Sequence, residues 1–487
     1  MMTQQDLEKY LWGAATTLRG TIDAGDYKQY IFPLMFFKRI SDVYDEEFET
    51  ALAESDGDLE YAAFAENHHF QVPEGAHWND VRETTTNIGL ALQNAMRAIE
   101  KANPDTLEGI FGDASWTNKE RLSDAMLTNL IEHYSQQTLN LKNVPDDKLG
   151  NAYEYLIKEF ADDSGHTAAE FYTNRTVVKL MTMIMDPQPG ESVYDPTCGS
   201  GGLLLNCALH LKDEGKEYRT LKLYGQEINL LTSAIARMNM FMHGIEEFDI
   251  VRGNTLSNPG LLENDELKKF NVILANPPYS IKAWDRKGFE SDPYGRNVWG
   301  TPPQGCADYA FEQHIQKSLD ERNGRSMSLW PQGLLDRSSE ESIRRGFLES
   351  DRLEAVIGLG RNLFYNSGME SCLVISKTSK ENTKKGKVLF INAHDLVKKE
   401  KTISFLEPEH IETIHSAYKN YADVEGLSKV VSVQEIIENR SSLNISLYVN
   451  KYDDASAHSF KEVYLESEVC GKVMKDSMSL LFKELNK

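Results

Sequence analysis

The sequence is poor in cysteine and has no long apolar run. Its five cysteines are odd in number and include no Cys-x-x-Cys pair. Neither a disulfide framework nor a zinc site is therefore predicted, and a reducing cytoplasm is the expected location. No uncharged apolar stretch approaches the roughly 18 residues that span a bilayer, and the N-terminus lacks a signal-peptide pattern. These absences predict a cytoplasmic protein without a membrane anchor or a bound metal.

Basic residues are scarce, since 52 Lys and Arg stand against 75 Asp and Glu, a formal net charge of −23. Residues 1–165 hold 13 basic and 30 acidic side chains, a net of −17, so the other 322 residues carry only about −6. Basic residues cluster in this second part, at Arg337, Arg344, Arg345, Lys384 and Lys385. Because phosphate binding needs positive charge, such a chain would contact DNA only over a small patch and obtain most of its affinity from a partner. For residues 337–345, a solvated helix face is the alternative.

At 487 residues the chain should form two or three domains. Apolar residues recur at helical spacing through residues 1–160, which predicts an all-α region. Within it, Pro33 predicts a kink or a helix start, and the acidic run at 42–60 predicts a solvated helix face followed by a loop. A last helix, around 149–160, leads into a predicted linker at 161–165.

From residue 166, helices alternate with short β-rich runs. Strands are predicted at 190–195, 222–226, 249–252, 272–275, 326–329, 353–359 and 371–376. Helices are predicted at 176–185, 202–211 and 230–242. This βαβ order predicts an α/β domain with a doubly wound, parallel, Rossmann-like sheet.

The expected organisation therefore has three parts. Residues 1–165 form a helical N-terminal domain, 166–430 form the α/β domain, and 431–487 form a helical C-terminal tail. The tail carries only a ragged apolar stripe, at Val469, Val473 and Leu480. Such a stripe predicts a helix that docks onto a partner, with a frayed terminus as the alternative.

A glycine-rich turn, Asp195-Pro196-Thr197-Cys198-Gly199-Ser200-Gly201-Gly202, lies where the first predicted strand gives way to a helix. Its glycines let the backbone approach a ligand closely, and ligands in such sheets bind outside the carboxyl ends of the strands. The spacing matches neither the phosphate loop nor the complete dinucleotide fingerprint. The acidic residue that heads the turn suits a ligand with positive charge, such as the amino and sulfonium groups of S-adenosylmethionine.

Two polar residues follow the next two predicted strands. Glu227 could accept hydrogen bonds from both hydroxyls of a ribose, as strand-end carboxylates do in dinucleotide folds. Asn254 could hydrogen-bond an adenine ring. An ordinary strand-end glutamate and an ordinary turn asparagine are the alternatives.

The tetrapeptide Asn276-Pro277-Pro278-Tyr279 follows the apolar run at 272–275. An exocyclic amine on a nucleobase is a poor nucleophile because its lone pair is delocalised into the ring. The Asn276 side-chain carbonyl and the Pro277 backbone carbonyl could bind its two N–H groups and localise that pair. The prolines would keep these acceptors aimed, and Tyr279 offers a stacking face worth roughly 1–3 kcal/mol. A rigid Pro-Pro turn is the alternative for the tetrapeptide alone.

In this order, the glycine-rich turn, the strand-end Glu, the post-strand Asn and the tetrapeptide resemble the N6-adenine, amino-group DNA methyltransferases. The match narrows with four further segments, Leu11-Trp12, Asp26-Tyr27-Lys28, Leu149-Gly150-Asn151-Ala152-Tyr153-Glu154-Tyr155-Leu156 and Glu170-Phe171-Tyr172-Thr173. Residues 5–430 are thereby similar to the modification (methyltransferase) subunit of type I restriction–modification systems. The resemblance implies methyl transfer from S-adenosylmethionine to adenine N6 in a specific DNA sequence, which protects host DNA from restriction. The target base must first be rotated out of the duplex.

The resemblance also implies the site residues. The implied catalytic residues are Asn276, Pro277, Pro278 and Tyr279. The implied cofactor-binding residues are Glu170, Phe171, Tyr172, Thr173, Asn174, Arg175, Asp195, Thr197, Gly199, Ser200, Gly201, Gly202, Glu227, Asn254 and Asn276. The chain departs from the family at Asn174, where Pro is usual, and at Ala168-Ala169, where Gly-Gly is usual. Both changes affect how tightly the loop around residues 168–174 is held.

Further implications concern partners. No additional DNA-reading motif is evident, so a specificity subunit is expected to read the sequence. Two methyltransferase subunits are expected to clamp around double-stranded DNA, and a restriction subunit to join the larger assembly. The tetrapeptide also serves enzymes that methylate RNA amines or a protein glutamine amide, and a catalytically silent scaffold is a third possibility. The helical segment 1–160 argues against methylation of RNA or of a protein glutamine. The intact tetrapeptide and Glu227 argue against a silent scaffold.

Overall fold

The computed structural model describes residues 2–19, 22–163, 173–363, 370–400 and 403–449. The N-terminal part is helical, as predicted. Its α-helices are α1 (Gln4–Thr17), α2 (Lys28–Glu54), α3 (Leu59–Ala62), α4 (Trp78–Arg82), α5 (Ile88–Ala102), α6 (Pro104–Leu107), α7 (Asp124–Tyr134) and α8 (Asp146–Asp163). Within the described ranges, no helix has both the length and the apolar character that crossing a membrane requires.

Helix α2 forms the centre of the helical part, and every residue from Tyr30 to Val43 is buried. Pro33 lies inside this helix rather than at its start. The acidic run is not wholly solvated, because Asp42 is buried, pairs with Lys38 and accepts a hydrogen bond from the Leu139 N–H at 2.6 Å. The prediction of a solvated face is therefore wrong at Asp42, which serves to fix α2 in the core.

The α/β part begins with α9. Its helices are α9 (Arg175–Met185), α10 (Gly202–Asp213), α11 (Leu230–Met242), α12 (Arg286–Glu290), α13 (Asp308–Ser318), α14 (Glu341–Glu349), α15 (Pro408–Asn420) and α16 (Val433–Glu438). Its strands are β1 (Ser192–Asp195), β2 (Lys222–Glu227), β3 (Phe248–Arg252), β4 (Leu262–Glu263), β5 (Glu266–Leu267), β6 (Val272–Ala275), β7 (Arg325–Pro331), β8 (Leu353–Leu359), β9 (Ser371–Lys377), β10 (Lys387–Ala393) and β11 (Ser428–Ser432). The bounds of β6, β8 and α11 coincide with the predicted ones.

Nine of the described strands form one sheet in the order β11-β10-β8-β9-β7-β6-β1-β2-β3, and β4 and β5 form a separate hairpin. The sheet is mixed, since β9 runs antiparallel between β7 and β8, and β11 is antiparallel to β10. The prediction of a parallel sheet is correct for β6, β1, β2 and β3 and wrong at β9 and β11.

Both faces of the sheet are covered, as a doubly wound fold requires. Along β8, Ala355, Ile357 and Leu359 face the core beneath α9, α10 and α15, whereas Leu353 and Val356 face the core beneath α14 and α16. A strand that is buried on both faces has a continuous apolar run in its sequence instead of an alternating pattern. Such runs carry no signal of strand direction, which explains why β9 was not predicted to be antiparallel.

The predicted linker at 161–165 begins inside a helix, and the predicted boundary at residue 430 falls inside a strand. Helix α8 continues to Asp163, and Ala161, the first residue of the predicted linker, is buried in the helical core. Strand β11 spans residue 430, and Ile436 and Leu443 beyond it pack on the core of the same sheet. Residues 164 and 165 and the predicted docking helix in the tail lie outside the described residues.

Candidate active site

The sheet reverses its winding between β1 and β6. From β1 the chain moves outward through β2 to β3 and then returns to β6 on the other side of β1. The carboxyl ends of β1, β2 and β6 therefore lie around this switch point, where α/β sheets bind ligands. These three ends carry Asp195, Glu227 and the tetrapeptide that starts at Asn276. Asp195 and Asn276, which are 81 residues apart in sequence, thus lie at one edge of the sheet.

Asp195 is the buried acid of this edge, with a relative exposure of 1%. Its side-chain oxygen accepts a hydrogen bond from the Thr197 N–H at 3.0 Å. Burial raises the pKa of Asp195 to about 8, and the neighbouring charge of Glu227 acts in the same direction. A carboxyl group in such a setting is ionised more easily when a cation lies beside it. The position therefore fits a positively charged ligand.

The glycine-rich turn presents bare backbone to the pocket. Gly201 has a φ of +80°, and a Cβ there would lie 2.8 Å from Cε of Met240. A Cβ on Gly202 would lie 1.9 Å from Nη1 of Arg175. At Gly201 the positive φ disfavours any side chain, and at Gly202 a side chain would require the Arg175 guanidinium to move, so both positions favour glycine.

Glu227 closes the turn from the neighbouring strand. Its Oε2 accepts a hydrogen bond from the Gly199 N–H at 3.1 Å, and its Oε1 accepts one from the Asn229 N–H at 2.8 Å. A carboxylate has about four acceptor sites, so these bonds orient the group and are compatible with ribose binding. The adjacent Ile228, which was not predicted, is 60% exposed and adds an apolar surface beside the carboxylate.

Asn254 acts locally within its turn. Its side-chain oxygen accepts hydrogen bonds from the N–H groups of Leu256 at 3.0 Å and Ser257 at 3.2 Å. The next residue, Thr255, donates from its hydroxyl to the Pro196 carbonyl at 2.5 Å. The turn after β3 is thereby attached to the glycine-rich turn after β1. The contacts of Asn254 are those of an ordinary turn asparagine, and its contact with an adenine ring stays a prediction.

The tetrapeptide directly follows β6. The Asn276 side chain is half-buried, and its Nδ2 donates a hydrogen bond to Oγ1 of Thr173 at 3.1 Å. Pro277 is buried, whereas the ring of Tyr279 is partly exposed and packs against the core of the sheet. The Tyr279 hydroxyl lies inside that core, and burial raises its pKa. The hydroxyl end of Tyr279 is thus buried, while the residue as a whole stays partly exposed, as stacking on a base would require.

A polar cluster next to the tetrapeptide, formed by Asp308, Arg337 and Glu340, was not predicted. Ser280 has a φ of +53°, and its N–H donates to Oδ1 of Asp308 at 3.0 Å. Arg337 lies on the other side of Asp308, with Nη1 3.6 Å from Oδ2, and its Nη1 is 3.7 Å from Oε2 of the buried Glu340. Asp308 lies 28 residues beyond Ser280, and no local pattern in the sequence connects the two.

Most of the predicted cofactor residues line one pocket. The pocket is lined by Thr173, Arg175, Asp195, Thr197, Cys198, Gly199, Ser200, Gly202, Leu203 and Asn276. Eight of these ten residues were predicted, Cys198 and Leu203 being the exceptions. The predicted contacts Glu170, Phe171 and Tyr172 lie outside the described residues.

Asn174 does not line this pocket. It is 6% exposed and caps α9, because its Oδ1 accepts from the Thr176 N–H at 3.0 Å and its Nδ2 donates to the Ser404 carbonyl at 2.9 Å. The Asn174 side chain thus begins α9 and holds the chain that carries Thr173 and Arg175, and the predicted contact between Asn174 and the cofactor stays a prediction.

Helix α8 supports the pocket from the helical part of the molecule. Glu154 forms an ion pair with Arg175 and accepts a hydrogen bond from Nδ2 of Asn239 at 2.7 Å. Asn239 also donates to the Ser200 carbonyl at 3.0 Å. One turn earlier, Gly150 allows α8 to approach His243, since a Cβ there would lie 2.4 Å from the His243 ring. The segment at 149–156 is thus explained as a brace between the helices and the glycine-rich turn.

The predicted basic cluster is dispersed. Arg344 is 1% exposed and donates to the Ser441 and Arg337 carbonyls, so it cannot reach phosphate. Arg345 is exposed and paired with Glu349. Lys384 pairs with Glu354 and Glu381, so only Lys385 of the second pair is exposed and available to an anion.

The pocket fits S-adenosylmethionine by the chemistry of its donors. The buried carboxyl group of Asp195 suits a cation, and the turn of Gly199 to Gly202 offers its backbone to a polar group. Glu227, at the end of the neighbouring strand, suits ribose hydroxyls. Asn276 lies at the same pocket. The amide that is predicted to bind the acceptor amine is therefore adjacent to the predicted cofactor site.

Comparisons with known proteins identify the family. The N-6 DNA methylase family model matches residues 144–456, and the model of the HsdM N-terminal domain matches residues 7–134. The methylase subunit of the type I restriction enzyme MjaVIII of Methanocaldococcus jannaschii is 30% identical, over 91% of this chain and 78% of that protein. The methylase subunit of the type I restriction enzyme MpnII of Mycoplasma pneumoniae is 27% identical, over 91% and 89%.

Solved structures agree. The crystal structure of the type I restriction–modification system methyltransferase subunit from Streptococcus thermophilus is 30% identical, with a TM-score of 0.79, over 92% of this chain and 100% of that one. The family match covers well over half of the sequence. The chain therefore belongs to the N-6 DNA methylase family and is a type I methyltransferase subunit, an S-adenosylmethionine-dependent enzyme that methylates adenine N6 in DNA.

Proposed function

We propose that the Asn276 side-chain oxygen and the Pro277 carbonyl are the two acceptors that activate the adenine amino group. The observation that carries this proposal is that Asn276 lines the same pocket as Asp195 and the glycine-rich turn. The two acceptors follow directly from a strand of the sheet, and the two consecutive prolines restrict their backbone. They are therefore rigidly placed beside the cofactor site.

The chemistry follows from these positions. S-adenosylmethionine, when bound, supplies a methyl carbon activated by a sulfonium group. The Asn276 and Pro277 oxygens accept the two N–H hydrogens of adenine, which turns the amine toward tetrahedral geometry and localises its lone pair. Tyr279 stacks on the extruded base, which offsets part of the few kcal/mol that unstacking costs. The positive charge on the methylated amine is lost when its proton passes to water, so neither a metal nor a strong general base is needed.

The remaining roles are proposed from the pocket. Asp195 and the backbone of 197–202 hold the cationic and polar end of the cofactor, Glu227 holds the ribose, and Thr173 and Arg175 close the pocket from the start of α9. We also propose that the α/β domain extends to residue 449, since β11 and α16 belong to it. The helical domain then ends at α8, and the docking role of the C-terminal tail stays a proposal.

The expected setting is a larger complex in the cytoplasm. The relatives are named as methylase subunits of type I restriction enzymes, which supports work with partner subunits. We propose that a specificity subunit reads the DNA sequence, that a second copy of this chain completes the clamp on double-stranded DNA, and that a restriction subunit joins the assembly. The net charge of −17 on residues 1–165 supports protein contacts rather than DNA contacts for the helical domain.

The test is the Asn276→Ala variant in complex with the specificity subunit. Methyl transfer from radiolabelled S-adenosylmethionine to target DNA should fall by roughly 100-fold or more, as for other preorganised polar groups aimed at the reacting atoms. Cofactor affinity, measured by calorimetry, should change little. Near-normal transfer in this variant would disprove the assigned role.

A further inference from the structure

DNA phosphates need positive charge close to the site, yet the chain carries a formal net charge of −23. The predicted basic cluster does not supply that charge, because Arg344 is buried and Arg345 is paired with Glu349. A cation that serves this purpose must be exposed, free of internal ion pairs and near the tetrapeptide. The segment directly after the tetrapeptide contains such a cation.

Lys282 lies three residues beyond Tyr279, on the connection that follows β6. Its side chain is exposed, and it pairs with no acidic group in the described ranges of the chain. A lysine ammonium is a compact charge on a flexible four-carbon stem, so it adapts readily to the position of a phosphate. A DNA strand can therefore use Lys282 without breaking an ion pair within the described structure.

The surroundings of Lys282 are more basic than the chain as a whole. Residues 276–290 hold three basic and two acidic side chains, a net charge of +1. Both acidic side chains have local partners, since Asp285 accepts a hydrogen bond from a backbone N–H of α12 at 2.8 Å and Glu290 pairs with Arg286. A phosphate that approaches this segment thus meets no excess of negative charge.

The backbone that carries Lys282 is firmly held. Nε2 of Gln304 donates to the Lys282 carbonyl at 3.0 Å and to the Trp284 carbonyl at 3.1 Å. In return, Nε1 of Trp284 donates to the Gln304 carbonyl at 3.0 Å. On the side of the tetrapeptide, the Ser280 N–H donates to Asp308. The base of the lysine side chain is therefore fixed beside the tetrapeptide, and only its stem rotates.

The spacing along the chain places Lys282 within reach of the phosphates of the target nucleotide. Three residues span at most about 11 Å, even when fully extended. A base that stacks on Tyr279 is joined to its phosphates through a single sugar, and the charged phosphates stay in water at the mouth of the pocket. The four-carbon stem of the lysine can close the remaining distance.

We propose that Lys282 binds one of the two phosphates that flank the extruded adenine. The contact holds the strand that carries the target base. It conveys no sequence information, because phosphates are the same at every position. Lys282 does not touch the reacting atoms, so its contribution is to DNA binding. This inference rests on the proposed place of the adenine beside Asn276 and Tyr279.

The first test measures DNA affinity at several salt concentrations, with the specificity subunit and the S-adenosylmethionine analogue sinefungin bound. One lost phosphate contact lowers the slope of log K against log[salt] by about 0.9. Lys282→Ala should show this change and should bind target DNA roughly 5-fold or more weakly at low salt. Lys282→Arg keeps the charge and should keep the slope. An unchanged slope in Lys282→Ala would overturn the inference.

Lys385→Ala is the matched control, because it also removes one exposed positive charge. Lys385 precedes β10, which runs in the same direction as β6, so it lies at the edge of the sheet opposite the tetrapeptide. Its salt slope should equal that of the wild type. Equal slope changes in Lys282→Ala and Lys385→Ala would indicate a general effect of charge and would contradict a contact at Lys282.

A second test locates the contact on the DNA. A neutral methylphosphonate replaces the phosphate on the 5′ or the 3′ side of the target adenine. At the contacted position the phosphate charge is already absent, so Lys282→Ala should weaken binding by less than about two-fold further, a clear departure from additivity. Full additivity at both positions would place Lys282 elsewhere and would overturn the proposal.

The outcomes separate this inference from the proposed function and from a role in assembly. If Asn276→Ala loses transfer while Lys282→Ala keeps the wild-type slope, only this inference fails. If Asn276→Ala transfers methyl groups normally, the proposed role of Asn276 fails, and the methylphosphonate result still decides the contact of Lys282. If Lys282→Ala weakens binding of the specificity subunit without DNA, Lys282 is a protein contact and this inference fails.

Discussion

The carboxylate of Asp308 accepts a hydrogen bond from the backbone N–H of Ser280, the residue that follows the tetrapeptide. The distance is 3.0 Å, and Ser280 holds a left-handed φ of +53° that non-glycine residues rarely adopt. Such backbone conformations persist where the surroundings enforce them and often mark functional sites. The start of α13 therefore determines how the chain leaves the site, and with it the position of Tyr279.

Asp308→Ala should release this turn and slow catalysis. Without the acceptor, the strained conformation of Ser280 loses its support, and kcat should fall by roughly 10-fold or more. The affinity for S-adenosylmethionine should change little, because Asp308 does not line the cofactor pocket. Rapid-quench methylation assays and calorimetry measure the two quantities, with the exposed Asp113→Ala as control. Equal losses in cofactor affinity and in kcat would indicate general unfolding instead.

Gly202→Ala should weaken cofactor binding. The added Cβ would lie 1.9 Å from Nη1 of Arg175, so either the guanidinium or the start of α10 must shift. We expect the dissociation constant of S-adenosylmethionine to rise by at least 10-fold, which corresponds to about 1.4 kcal/mol. Gly25→Ala is the control, because nothing lies within 4 Å of a Cβ at that position. Unchanged affinity in Gly202→Ala would contradict the placement of this turn in the cofactor site.

Glu154→Gln tests whether the helical domain supports the pocket. The substitution removes the ionic partner of Arg175 while keeping an acceptor for Asn239. Hydrogen bonds to charged groups contribute about 1.5–3 kcal/mol, so cofactor affinity should fall by roughly 10-fold as Arg175 loses its restraint. Equilibrium binding of S-adenosylmethionine measures this effect, and the exposed Glu49→Gln should show none of it. A normal affinity would mean that α8 only packs against the domain.

The stability of the cofactor-free chain should fall as pH rises from about 5 to 8, in part because of Asp195. Burial raises the pKa of this carboxyl group to about 8, whereas in the unfolded chain it is about 3.9. Between these values the folded state holds a proton that the unfolded state has lost, so each step upward in pH favours unfolding. Below pH 4 and well above pH 8, this contribution no longer varies.

Thermal unfolding of the wild type and of Asp195→Asn, compared at several pH values, isolates this contribution. Asn cannot ionise, so the decline between pH 5 and 8 should be shallower in the variant. Glu340, whose pKa burial raises to about 7, titrates in the same range and is common to both proteins. Identical slopes would show that Asp195 is ionised throughout.

The sequence was informative where a pattern is local. The bounds of β6, β8 and α11 followed from segments rich in apolar residues, and in the structure Asn229 caps α11 by accepting a hydrogen bond from the Thr232 N–H. Strand β10 was missed because lysines surround its start, at 380, 384, 385 and 387, and resemble a surface loop. The end of α8 was misread because Asp162-Asp163-Ser164-Gly165 has the composition of a linker.

The parts of the site that depend on long-range contacts could not be predicted. Ser280 and Asp308 are brought together by the packing of α13, and Glu154 meets Arg175 because α8, in the helical part, packs against the α/β part. The resemblance supplied most residues of the pocket but not these supports. It also did not indicate that the Asn174 amide caps α9 and bonds to Ser404.

The most direct measurement is a structure of the chain with its specificity subunit, target DNA and the S-adenosylmethionine analogue sinefungin. We predict that Oδ1 of Asn276 and the carbonyl oxygen of Pro277 both lie about 3 Å from N6 of an extruded adenine. This nitrogen should face the analogue's amine, the group that replaces the transferred methyl. Two oxygens turned away from the base, or an adenine held elsewhere, would contradict it.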